Sequence, residues 1–537
     1  MKKLLTLFII YGGLVGNCFA QQAPGIEWQN TIGGSNDDAL FSISETIDHG
    51  FIIGGYSLSD ISGDKNENCK GSYDYWIVKT NSAGVIQWQN TIGGNGQDQL
   101  FMVEQTTDKG YIMGGYSNSN ASGDKTENSF GGQDYWIIKS DSLGNMVWQN
   151  TIGGNGNDQL VSLLQCSGGG YLLGGYSRSN ISGDKIENSV GVDDYWIIKI
   201  NSTGAIQWQN TIGGNNNDEI SSVIETMDKG YLLCGSSNSS ISGDKTENSK
   251  GGFDYWILKT DSSGSIQWQK TIGGNNDDKL FTAKETSDNG YILGGYSLSS
   301  ISGDKGENNL GVLDYWVVKI DSIGNILWQN TIGGSSVDWL RSIEKTTDGG
   351  FVLGGYSDSN ISGDKIEGCI GNWDFWLVKI DSLGNLKWQN TIGGNLLDGL
   401  FCVKQCSNGG YILGGTSASD ISGDKTENSL GYIDYWIVKL FPDTLTSTTN
   451  IHSSKNNFKI FPNPAKDYLS LTLSSGEGTS SCLIKIYDVF GNLVLNKQSA
   501  ITNYQLSVAN LSSGVYFVEV EANNEVYRSK FVKTASR

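Results

Sequence analysis

Tryptophan recurs along this 537-residue chain at a fixed interval. Trp28, Trp88, Trp148, Trp208, Trp268, Trp328 and Trp388 each precede Gln-Asn or Gln-Lys and stand sixty residues apart. A second series follows Asp-Tyr or Asp-Phe at the same interval: Trp76, Trp136, Trp196, Trp256, Trp316, Trp376 and Trp436. A unit of this size cannot bury its apolar face alone. Its copies must stack, as an open array or as a ring.

One unit, residues 38–94, carries four strand signals: 40–46, 51–56, 74–80 and 85–92. Asp/Asn/Ser/Gly clusters at 48–50 and 81–84 supply the φ > 0 positions that tight hairpins need. The remaining length is one long connection, 57–73. No segment shows a capped 3.6 period. The 73 glycines against 4 prolines, with abundant Trp and Tyr, fit β-structure rather than disorder. The second and third strands are apolar on both faces, with Tyr75 and Ile77 on one side and Trp76 and Val78 on the other. Strands covered on both sides look like this. Gly54-Gly55 marks a close backbone approach to a neighbour, and Trp76 and Trp88 are expected between neighbouring sheets.

Four antiparallel strands per unit predict a β-propeller blade. The first three strands occur seven times, ending at Leu440, whereas the first copy of the fourth, 26–32, precedes them all. The N-terminal strand therefore completes the last blade and leaves no open edge. A solenoid would need atypical capping units, and the sequence shows none. The fold class is read as all-β: a seven-bladed β-propeller over residues 21–440, followed by a small Ig-like β-sandwich.

The blades resemble Kelch-like and quinoprotein-like bacterial propellers. The resemblance rests on the Gly-Gly pair of the second strand, a Trp in the fourth, and the hairpin Asp261-Ser-Ser-Gly264-Ser-Ile-Gln-Trp268. The spacing of a sialidase Asp box is not met. It implies a fold and no activity.

After a Ser/Thr-rich linker, 441–457, the pattern changes to short alternating strands over 458–537. Phe461-Pro462-Asn463-Pro464, the Asp488-Val-Phe-Gly491 turn, Leu511-Ser-Ser-Gly514-Val-Tyr516 and the terminal Lys530 follow in order. This segment is similar to the type A C-terminal sorting domain of type IX secretion cargo. The resemblance implies the type IX machinery as partner, passage through the outer membrane, removal of the domain, and release or surface attachment.

Residues 1–20 have a basic start, an apolar run and small residues before Gln21, the design of a cleaved secretory signal peptide. A membrane anchor and a lipid-modified Cys18 are the competing readings. No later stretch is apolar enough to span a bilayer, and a monomer is expected. The net charge of −20 argues against nucleic acid and anionic membranes as partners. Two histidines exclude a repeated His-based metal centre. The seven cysteines after Cys18 are odd in number and without CxxC spacing, so they read as buried or loop thiols.

In a propeller both long connections, fourth-to-first and second-to-third strand, emerge on one face, where binding residues are expected. That face repeats Ser-Gly-Asp-Lys-x-Glu, as in Asp64 with Glu67, Asp184 with Glu187 and Asp424 with Glu427. Such pairs suit Ca²⁺; the competing reading is a loop braced by its own hydrogen bonds. Ca²⁺ is the one cofactor considered. Asp38, Asp98, Asp158, Asp218, Asp278, Asp338 and Asp398 open the innermost strands, either ringing the channel mouth or capping turns. Departures from the repeat point to a ligand site. Trp339 and Trp373 are the two aperiodic tryptophans of that region; Phe253 shares the phase of Trp373, and Tyr432 lies one phase earlier. Exposed aromatics seat sugars or protein partners; packing against the adjacent blade is the alternative.

Two functions follow. The first is an exported binding or adhesion module for extracellular glycan or protein. The second is a carbohydrate-active hydrolase or lyase using carboxylates such as Asp193 and Asp358. A quinone-dependent enzyme ranks third.

Overall fold

The computed structural model describes residues 22–443, 458–462, 464–473, 481–487, 493–500, 504–522 and 525–534. The chain divides into two compact units, 1–444 and 445–537. The first is a propeller of seven four-stranded antiparallel sheets. Blade 1 comprises strands a (Asp38–Glu45), b (Phe51–Ser57), c (Asp74–Thr80) and d (Ile86–Ile92). Blades 2 to 6 repeat this over 98–152, 158–212, 218–272, 278–332 and 338–392. Blade 7 takes strands a to c from 398–440, and its outer strand is Ile26–Ile32 at the other end of the chain. That pairing runs from Ile26 opposite Leu440 to Ile32 opposite Tyr435. The ring is closed by hydrogen bonds, as the strand count anticipated.

The recurring motifs are the joints of this ring. Strand c is fully buried in every blade. The Tyr75 ring lies 4.9 Å from that of Trp136 in the next blade, and its hydroxyl donates to the Trp136 carbonyl at 3.0 Å. The same contact passes round the ring to Tyr435, which donates to the Trp76 carbonyl at 3.1 Å. Between blades 6 and 7 Phe375 keeps the ring contact, at 4.7 Å from Trp436, without a hydroxyl. The Trp-Gln-Asn series braces each blade and ties it to the next. Gln89 accepts from the Trp76 indole at 3.0 Å and donates to the Asp64 carbonyl at 2.6 Å. Asn90 reaches the Gly144 carbonyl of the next blade at 2.7 Å.

Gly54 lies against that next blade. A Cβ there would stand 2.6 Å from Leu100 Cδ2 and 2.8 Å from Val103 Cγ1. The innermost strands touch both neighbours around the circle. Each carries a β-bulge at its fourth residue, the position of Phe41 in blade 1.

The second unit has two sheets, one of Phe458–Phe461, Tyr468–Leu473 and Tyr504–Ser507, the other of Ser481–Tyr487, Leu493–Ala500, Gly514–Ala522 and Glu525–Lys533. Leu469, Leu471 and Leu506 from the first sheet share a core with Ile484, Ile486, Val518 and Phe531 from the second, which makes it a small sandwich. Pro462 and Pro464 are exposed, Gly514 opens a strand, and Lys530 pairs with Phe517. Asn463 and Gly491 lie outside the described residues.

Candidate functional site: the channel mouth on the long-loop face

Asp38 pairs with Ser57, and Ser57 with Asp74. The start of a, the end of b and the start of c therefore share one end of each blade, the end carrying both long connections. The bulge turns its extra residue out of the ladder, a device that re-aims a side chain. The re-aimed residues are Phe41, Phe101, Val161, Ser221, Phe281, Arg341 and Phe401. They meet across neighbouring blades, Phe41 lying 5.1 Å from Phe101 and 5.2 Å from Phe401. This convergence defines the lumen.

The scaffold is seven-fold but the mouth is not. One arc is aromatic. The half-buried Trp339 packs between Tyr296 at 4.9 Å and Tyr356 at 5.7 Å. Trp373 stacks on the other side of Tyr356 at 5.0 Å. Arg341 enters this arc with its guanidinium carbon 4.6 Å from the Phe281 and Trp339 ring centroids, 5.4 Å from that of Phe401 and 5.7 Å from that of Tyr356.

Polar groups elsewhere around the mouth are paired. Asp193 holds Arg178 bidentately at 2.5 and 2.8 Å. Lys279 bonds Glu219 at 2.9 Å and lies 3.9 Å from the Phe253 centroid. Tyr176 bonds Gln159, which bonds Gln133. Asp358 accepts the Val337 N–H at 2.7 Å, so both carboxylates singled out for acid chemistry are engaged. Deeper in the lumen, Glu344 sits between Lys284 at 3.1 Å and Lys404 at 3.3 Å.

Trp339, Trp373 and Phe253 thus share the mouth, and each also packs on a neighbour. Tyr432 is 74 % exposed on a long loop and is not placed in the aromatic stack. Arg341, Tyr356 and the bulge phenylalanines escaped the sequence reading, which followed the aperiodic tryptophans and the aromatics in or beside the Trp373 phase. The available signal was Arg341 itself, a cation in a phase otherwise held by Phe, Val and Ser.

The Ser-Gly-Asp-Lys-x-Glu loops are braced in the structure. Asp64 accepts the Gly33 N–H at 3.3 Å, and Glu67 accepts the Thr91 N–H at 2.6 Å. Asp184 and Asp424 accept from Gly153 and Gly393, and Glu187 and Glu427 from Thr211 and Thr31. The two carboxylates of one motif thus bind different strands, and the acidic neighbour felt by Asp64 is Glu427 of the preceding blade. Lys65 forms no ion pair with them. It turns inward to Thr91 Oγ1 at 2.5 Å, beside the Trp76 ring. Among the described residues no group of three or more His, Cys, Asp or Glu is arranged to hold a metal ion.

The aspartates opening the innermost strands are fully buried and do not line the mouth. Asp38 accepts the Gly34 N–H at 2.6 Å and the Ser59 hydroxyl at 3.0 Å, the turn-capping arrangement. Burial pushes its carboxyl up to about 6, against the pull of the Ser57, Gly34 and Ser59 donors. Asp74, which opens strand c of blade 1, accepts the Lys70 N–H. Asp74 is fully buried and pushed up to about 6 by burial, with Asp98 of the next blade adding a like charge.

Residues 459–534 match the family model of the Secretion system C-terminal sorting domain. The C-terminal unit is a type IX sorting domain. It directs secretion through the type IX system to the cell surface or the extracellular space. Interaction of the sorting domain with that machinery is implied by the match. No curated protein matches the chain significantly. Similar solved structures include an apocarotenoid oxygenase variant from Synechocystis, 11 % identical, covering 79 % of this chain and 95 % of its own at a TM-score of 0.35. A protein of unknown function from Bacteroides thetaiotaomicron is 12 % identical, with 78 % and 99 % coverage and a TM-score of 0.27. A structure titled sialidase is 9 % identical, with 95 % and 47 % coverage and a TM-score of 0.21. These scores carry no argument about function, and the propeller stands on its own strand order.

Proposed function

We propose that the protein is an exported binding module whose propeller seats an extracellular glycan at the channel mouth. In this reading residues 1–20 are the signal peptide, 21–440 the propeller, 441–457 a linker and 458–537 the sorting domain. The observation that supports it is the broken symmetry. A ring of near-identical blades gathers Trp339, Tyr356 and Trp373 on one arc, the kind of flat amphipathic wall on which sugar rings stack. A glycan-array screen of the exported chain tests it. Trp373→Ala and Trp339→Ala are each expected to weaken binding about tenfold, the loss of one aromatic platform. Unchanged binding by both variants removes the site.

A further inference from the structure

We infer that the mouth recognises an anionic sugar unit, one bearing a carboxylate or sulfate, through Arg341 and the indole N–H of Trp339; this rests on the binding reading above. Residues 22–443 contain two arginines, Arg178 and Arg341, and both sit at the mouth. Arg178 has a dedicated carboxylate in Asp193. Arg341 has none among the described residues. Its one protein acceptor there is the Tyr356 hydroxyl at 3.2 Å.

Arg341 Nε and Trp339 Nε1 are both buried without an acceptor. Buried donors left unmatched are costly, and nearly all find partners in folded proteins. These two lie two residues apart on one strand, Arg341 being the bulged residue between Leu340 and Ser342. Four rings surround the guanidinium and exclude protein carboxylates from its faces, leaving its edge for an acceptor that arrives with a ligand. A planar guanidinium edge matches carboxylate and sulfate oxygens and is charged at every relevant pH.

About 10 Å further down the strand, Lys284 and Lys404 flank the carboxylate of Glu344. Glu104 also faces Lys404 and Lys284; burial pushes its carboxyl up while those ammoniums pull it down. Lys284 and Lys404 thus face two carboxylates, Glu344 and Glu104, and Arg341 is the cation beside them that has none. Trp373 stacked on Tyr356 supplies the flat face for the sugar ring itself.

The test is an array of matched neutral, uronate-bearing and sulfated glycans probed with the exported chain. The acidic members are expected to bind at least about tenfold better than their neutral partners, with the preference fading as salt rises. The uronate and sulfate arms show which anion is preferred. Arg341→Gln should abolish the preference, and Arg341→Lys should keep part of it. Competition of free glucuronate against free glucose on the unaltered chain needs no variant, and glucuronate is expected to win. Equal binding of neutral and acidic members, or a preference that survives Arg341→Gln, overturns the anion assignment and leaves the glycan reading standing. Binding to peptides alone, or to no array member, overturns both.

Discussion

Cys234 stands where the other blades have Gly54, Gly114, Gly174, Gly294, Gly354 and Gly414. Each of those glycines faces a branched residue of the next blade; a Cβ at Gly174 would stand 2.4 Å from Val223 Cγ1, and one at Gly294 2.3 Å from Ile343 Cδ1. The residue in that branched position beyond Cys234 is Ala283, in the same buried cluster. The larger side chain on one side is met by a smaller one on the other, which keeps the interior at its usual density. Ala283→Val should therefore cost about 1–3 kcal/mol by overpacking, and Cys234→Gly in the same chain should recover most of it. Thermal unfolding of both variants checks this; additive losses would refute the coupling. Arg341 shows the same limit of single-sequence reading from the functional side. Its departure from phase is visible in the sequence, but its meaning depends on Phe281 and Phe401, sixty residues to either side, brought together only by the ring.

Strands were the most legible elements because their period, turn residues and two-faced apolarity all act within a few residues. The expected 40–46, 51–56, 74–80 and 85–92 fall within a residue or two of Asp38–Glu45, Phe51–Ser57, Asp74–Thr80 and Ile86–Ile92. Less legible was what the aspartates at strand starts do, since their burial depends on the neighbouring blade. Asp38, Asp74, Asp134, Asp194, Asp254 and Asp314 are each pushed up to about 6, mainly by burial. Their folded form binds a proton more tightly than the unfolded chain, whose carboxylates titrate near ~4. Their contribution to stability is full below that value and is lost as pH rises through about 6. The nearby Lys65 ammonium, which faces Asp38 and Asp74, opposes the effect without cancelling it. Asp48, Asp228 and Asp288 act in reverse on the short-turn face. Bonds from Thr and Lys hold them down to about 2, so their contribution is lost in stronger acid. The melting temperature should peak in mild acid and fall between pH ~4 and ~7. A melting temperature that rises over that interval would contradict this account.

The whole molecule depends on Ile26–Ile32. Besides its ladder with strand c of blade 7, this segment gives Gln29 to the Trp436 indole at 3.1 Å and the Thr31 N–H to Glu427 at 2.6 Å. Removing residues 22–32 should leave blade 7 with three strands and a bare edge. We expect a clear loss of melting temperature and a rise in aggregation by light scattering; an unchanged melt would mean that closure contributes nothing. Closure was readable from strand counting, whereas which of the aperiodic residues meet at the mouth was not. The same clasp also sets a schedule for folding. A partner for residue 26 does not exist until residue 440 has been made and delivered, so the leading segment waits through the synthesis of the entire propeller. Contacts that distant in sequence form late and leave the chain vulnerable meanwhile. Whatever carries this chain outward must therefore either guard an unfinished circle or wait for a finished one.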